Sequence, residues 1–310
     1  MTHIRGLGYL KVQTQHIARW RELTVEGLGF AEVIGPDPDG LYLRMDEREA
    51  RLIVLPGESD KVLAVGWEVR DQFALAAVAK DVEASGIAVT WLDEEANDER
   101  GMEQVISFSD PGGTPVEVFF GPRLDHSPLK TGYAHKFVTG AQGMGHVVLP
   151  TTAMEETTSF YTDVLGFLPR GAVRLGPQRP AVRFRFFGIN QRHHSLAIGP
   201  APHGEEPGLV HLMVEVEDLD TVGMALDKVR GMNFNITATL GRHTNDKMVS
   251  FYVRAPGGWD IEYGTQGMLV DETYYTAEEI TAESYWGHDH TGAEPYAAFV
   301  PREAAAAQAG

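Results

Sequence analysis

Apolar and polar positions alternate over residues 9–12 and again over 146–149, and each alternating run gives way to helical spacing, over residues 17–26 and 154–164. A period of two predicts a strand and a period near 3.6 a helix, so a strand-then-helix opening occurs twice. The sequence itself repeats there. Gly6-Leu7-Gly8-Tyr9 returns as Gly143-Met144-Gly145-His146, and Leu28-Gly29-Phe30 as Leu165-Gly166-Phe167, both at a shift of 137.

Further along, the alternating run from Leu63 to Asp71 matches that from Val210 to Asp218, a shift of 147, and each is followed by helical spacing. Pro111-Gly112-Gly113-Thr114-Pro115-Val116-Glu117 matches Pro256-Gly257-Gly258-Trp259-Asp260-Ile261-Glu262, a turn feeding a last strand in both copies. Within each half the order strand, helix, strands occurs twice. The expected fold is therefore α+β: two domains, each of paired βαβββ modules forming open barrel-like sheets around a central space. The expected division is 1–135, 136–290 and a patternless tail over 291–310, with the halves joined near residues 123–137.

Composition narrows the function. The chain has 310 residues and no Cys, so any metal must be held by His, Asp or Glu. A formal net charge of −18 repels a phosphate backbone, which argues against a nucleic-acid partner. The N-terminal residues lack signal-peptide order and no stretch approaches a membrane span, so the expectation is a soluble cytoplasmic protein.

The duplication is an internal control. Tyr9, Ala64 and Glu117 in the first half stand against His146, His211 and Glu262 in the second. Two imidazoles and one carboxylate, each on a strand with apolar neighbours facing the other way, form a ligand set for a divalent first-row metal, most often non-haem Fe(II); Mn(II) suits it nearly as well. Each residue also has a plainer explanation. A lone His is more often a core histidine than a ligand. Glu117, with no His beside it, is expected to face solvent or pair locally.

These residues carry a resemblance. The runs ending in His146, around His211, and from Tyr252 to Glu262 are together similar to the two-domain extradiol catechol dioxygenases of the vicinal oxygen chelate superfamily, over about residues 3–290. Within that family the likeness is greatest to the 2,3-dihydroxybiphenyl 1,2-dioxygenases and the steroid-catechol cleaving branch. The resemblance implies a metal in the C-terminal domain and a metal-free N-terminal remnant. It implies that His194, from its His-x-x-Ala pattern, is the acid and base, that His243 and Tyr252 bind the substrate hydroxyls, and that catechol and O2 are the reactants.

If His193 and His194 lie on one strand, His193 points away from the cavity. The aromatic run 183–188, with the insertion 169–180, is expected to line a pocket for a bicyclic catechol; Phe187, Asn245 and Asp246 are the candidate substrate contacts. The acidic stretch 94–100 reads as a solvated face, and the histidine-rich 286–290 as a lid or interface segment. Family members are commonly homo-oligomers, so one is expected. A steroid-derived or monocyclic catechol remains an alternative substrate, and a glyoxalase-like isomerase or small-molecule binding protein an alternative class.

Overall fold

The computed structural model describes residues 2–134, 136–175, 182–201 and 208–290. The tail over 291–310 and part of the insertion, 176–181, lie outside the described residues. Four modules follow one another. The first holds β1 (Ile4–Thr14), α1 (Ile17–Arg21), β2 (Ala31–Val33), β3 (Leu41–Arg44) and β4 (Leu52–Pro56). The second holds β5 (Lys61–Val69), α2 (Gln72–Ala84), β6 (Thr90–Trp91), a short α3 (Glu94–Arg100), β7 (Met102–Ser109) and β8 (Pro115–Pro122). The third holds β9 (His146–Thr151), α4 (Met154–Ser159), β10 (Leu168–Leu175), β11 (Val182–Gly188) and β12 (Leu196–Pro200). The fourth holds β13 (His211–Glu215), α5 (Leu219–Gly231), β14 (Ile236–His243), β15 (Val249–Arg254) and β16 (Asp260–Thr265), after which come β17 (Glu278–Ile280) and β18 (Ser284–Trp286).

The modules pair into two sheets, β2-β3-β4-β1-β5-β8-β7-β6 and β17-β10-β11-β12-β9-β13-β16-β15-β14-β18. In each, the first strands of two modules meet antiparallel at the centre, β1 with β5 and β9 with β13. This is the α+β vicinal oxygen chelate fold. The repeated sequence anchors have matching structural duties. α1 and α4 both widen into a π turn, over Glu22–Gly27 and Phe160–Val164. The next glycines, Gly29 and Gly166, sit at φ +76° and +73°, a backbone conformation that explains the repeated Leu-Gly-Phe. Asp71 and Asp218 end the other matched run, and each caps its helix by accepting a backbone N–H, from Ala74 and Thr221.

One apolar core runs through both halves and is continuous between them. Across the divide Trp20 packs on Trp259 and Trp67 on Phe167, ring centroids 5.2 and 5.0 Å apart. Along β9, β13, β15 and β16, Val147, Leu149, Leu212, Val214, Phe251, Val253, Ile261 and Tyr263 enter this core. Their alternating neighbours face the concave side of the sheet, where a cavity of about 480 Å³ opens. No helix among the described residues is long and apolar enough to cross a membrane.

Candidate metal centre

Strand register brings the three matched residues together. Met213 lies opposite His146 on one side and Glu262 on the other, and His211 precedes it by two positions, so all share the concave face. His146 Nε2 and His211 Nε2 are 3.0 Å apart, and each lies 3.4 Å from Glu262 Oε2. Donors bound to one ion at about 2.1 Å stand about 3.0–3.4 Å apart, so this triangle fits a single divalent ion. Three lone-pair donors held this close repel one another unless a proton or cation lies among them.

Burial sets the protonation of these groups. It lowers the His146 pKa to about 4, against the pull of Glu262, so the imidazole is neutral and free to ligate near pH 7. Burial alone would raise the Glu262 carboxyl, but hydrogen bonds from His146, His211 and His243 hold it well below the usual range. Its other oxygen accepts a 2.7 Å hydrogen bond from Ser250 Oγ and lies 3.2 Å from His243 Nε2.

His194 and His243 flank this group. The His194 ring stacks on His146 at 3.9 Å, and its pKa is pushed well below the ordinary value by burial. His243 Nε2 is 2.7 Å from the Tyr252 hydroxyl. For His243 burial opposes the charge, but Glu262 outweighs it and raises the pKa to about 9. Asn245 and Asp246 line the cavity. A second trio, His146, His194 and Asp246, also lies within ligating reach. There, however, His194 Nδ1 stands 3.8 Å from Asp246 and 3.0 Å from His193 Nδ1, so it is already engaged.

One expectation is corrected and two are refined. Phe187 does not line the cavity: β11 alternates so that Phe184 and Phe186 face it while Phe187 enters the main core. His194 lines the cavity and His193 does not, as expected, but not because they alternate on a strand: both lie in the bend between β11 and β12, and their buried rings meet at 88°. Of the two readings of Glu117, facing solvent or pairing locally, the structure shows the second. Glu117 is 5% exposed and accepts hydrogen bonds from Tyr9 and from Arg100, the last residue of the stretch expected to be a solvated face.

One residue went unread. His288, in the segment expected to be a lid, is buried; its ring lies 4.1 Å from His243 and its Nε2 contacts the Ser250 carbonyl at 3.0 Å. The only hint was its place in a histidine-rich run. His290, from the same run, lines the cavity.

Residues 143–263 match the family model of the Glyoxalase/Bleomycin resistance protein/Dioxygenase superfamily, and residues 7–57 match that of the first domain of dihydroxybiphenyl dioxygenase. The chain is 46% identical over 300 residues to an iron-dependent extradiol dioxygenase of Rhodococcus jostii (strain RHA1), covering 94% of this chain and 99% of that one. It is 38% identical over 289 residues to a biphenyl-2,3-diol 1,2-dioxygenase of Paraburkholderia xenovorans (strain LB400), covering 92% and 95%. Among solved structures it is similar to a catechol 2,3-dioxygenase, with TM-score 0.88, 31% identity and coverage of 97% and 99%.

Proposed function

The chain belongs to the extradiol catechol dioxygenases of the vicinal oxygen chelate superfamily, and on that premise we propose that it cleaves a bicyclic or aryl-substituted catechol with O2 using one Fe(II) on His146, His211 and Glu262. The reaction opens the ring beside the two hydroxyls. The observation that carries the assignment is the triangle of donors, 3.0 and 3.4 Å apart, on the concave face. Mn(II) fits the same donors.

Bound there, Fe(II) supplies the charge that eases loss of a catechol proton and the electronic path between ring and oxygen. The remaining duties fall to side chains. His243 and Tyr252, 2.7 Å apart, orient one hydroxyl. With the Glu262 charge engaged by the ion, the His243 imidazole loses the pull that keeps it protonated and can take up the substrate proton. His194, kept neutral by burial, is the acid and base above the ring. Val148, Val173, Phe184, Phe186 and Ile280 form an apolar wall that excludes water and takes the second ring. A roughly 480 Å³ cavity holds more than a single-ring catechol. Asn245 and Asp246 contact the substrate at the polar end. We further place the enzyme in the cytoplasm as a homo-oligomer, with 1–135 and 136–290 as its two domains.

The test is anaerobic reconstitution with Fe(II), followed by 2,3-dihydroxybiphenyl and air, with oxygen uptake and the yellow ring-fission product as readouts. Uptake in the wild type and none in His146→Ala is the expected result. Bound iron without uptake on this substrate or on catechol would overturn the reading and favour a glyoxalase-like isomerase.

A further inference from the structure

The His194 imidazole is the end of a chain of hydrogen bonds that leads out of the cavity. Its Nδ1 lies 3.0 Å from His193 Nδ1. His193 Nε2 lies 2.9 Å from the Tyr275 hydroxyl, and that hydroxyl lies 2.5 Å from the backbone carbonyl of Arg170. Neither histidine reveals by itself which nitrogen bears the proton. The far end of the chain does.

A carbonyl oxygen can only accept, so the single Tyr275 proton is directed at Arg170. The Tyr275 oxygen must then accept from His193, which places a proton on His193 Nε2. Burial holds His193 neutral, its pKa lowered to about 4, so its Nδ1 is bare and accepts from His194. That places the His194 proton on Nδ1 and leaves Nε2 bare. The anchor is itself built in: Arg170 falls at the register shift of β10, between the pairs Pro169–Phe187 and Gly171–Phe186, so it has no partner across the ladder. Tyr275 is fixed in turn by the Arg170 guanidinium, 5.4 Å above its ring. Asp246, whose carboxylate oxygen is 3.8 Å from His194 Nδ1, favours a proton at that nitrogen.

We infer that His193 and Tyr275 are positioning residues that lock His194 in the Nδ1–H tautomer, so that it meets the substrate with a bare Nε2 and starts as an acceptor. The inference rests on the reading of His194 as the acid and base, but the tautomer can be measured without turnover. The experiment is 15N–1H correlation spectroscopy of histidine-labelled full-length protein loaded with Zn(II), whose closed shell leaves the imidazole lines sharp. The wild type should give a bare-nitrogen signal for His194 Nε2 and a protonated one for Nδ1. Tyr275→Phe, which keeps the ring and removes the hydroxyl, should mix the two tautomers. In the Fe(II) enzyme it should lower kcat about tenfold with KM nearly unchanged.

A wild-type His194 protonated at Nε2 overturns the inference, as does a Tyr275→Phe spectrum identical to wild type. Neither result bears on ring cleavage itself. That reading fails separately, if His194→Ala retains wild-type oxygen uptake.

Discussion

The two halves share a fold and a buried carboxylate at the same position, and they differ in what neutralises it. In the N-terminal sheet Glu117 receives Arg100 Nε and Nη2 at 2.8 to 3.1 Å together with the Tyr9 hydroxyl. Tyr9 packs 5.1 Å from Phe119, and with Ala64, Met102 and Val105 these side chains fill the space. In the C-terminal sheet Glu262 faces three imidazoles, those of His146, His211 and His243, and an open cavity. Where the C-terminal half carries the long β14 bearing His243, the N-terminal half has the two-residue β6 and the helix α3 that brings Arg100. A buried carboxylate needs a cation. One half tethers its cation as a guanidinium, and in the proposed reading the other recruits one from solution, which leaves coordination positions open for chemistry.

The largest effect expected from breaking this comparison is Glu262→Gln. Loss of the anionic ligand should lower oxygen uptake about a thousandfold or more and abolish stoichiometric iron, measured by metal analysis. Arg100→Met is its counterpart. It should leave iron content and kcat unchanged but destabilise the fold by about 3–5 kcal/mol in denaturant unfolding, because Glu117 is left buried and unpaired. Arg100→Met with Glu117→Gln should recover most of that loss. If the double variant is no more stable than the single, Arg100 is not the counter-charge.

A smaller difference concerns acid. In the metal-free protein His146, His193 and His288 each have a pKa of about 4, with burial the leading cause, below the ordinary value of 6.5. The unfolded chain therefore binds more protons between these values, and stability is lost as pH falls from about 6.5 toward 4. His243 has the opposite shift, to about 9, so its contribution is complete below 6.5 and is lost only as pH rises toward 9. Tm should thus fall across the acid window, and hydrogen exchange should rise first in β9, which carries His146. Its N-terminal counterpart, Tyr9 on β1, bears no group that titrates there. Equal loss of protection in β1 would contradict this.

Much of this architecture was legible because duplication made one half a control for the other. The four modules, the Gly29 and Gly166 turns and the Asp71 and Asp218 caps all follow from matched residues, and so does the asymmetry between Tyr9 and Ala64 and their histidine counterparts. The misses have physical causes. Phe184, Phe186 and Phe187 are apolar on both faces of β11, so alternation splits them without saying which set meets the cavity. His193 and His194 sit in a bend, where a period of two does not apply. Arg100 ends a run of acidic residues, and only the packing of α3 against β7 aims it inward. His288 depends on β18 pairing with β14, a contact between segments about 40 residues apart that leaves no periodic trace.

The finest comparison is between two tyrosines. Tyr9 and Tyr252 each place a hydroxyl beside the buried carboxylate system of its own half, Tyr9 on Glu117 and Tyr252 on His243. Tyr9→Phe removes one of several bonds to a carboxylate that Arg100 still neutralises, so the cost should be about 1 kcal/mol of stability with kcat unaltered. Tyr252 lines the cavity, and its partner His243 keeps a contact to Glu262 without it. Tyr252→Phe should therefore leave Tm within about a degree of wild type while kcat falls about tenfold, the lower end of what a positioned proton-transfer group contributes. The same deletion of one oxygen then separates structure from catalysis. If both variants lower kcat, or both lower only stability, the halves have not divided these duties.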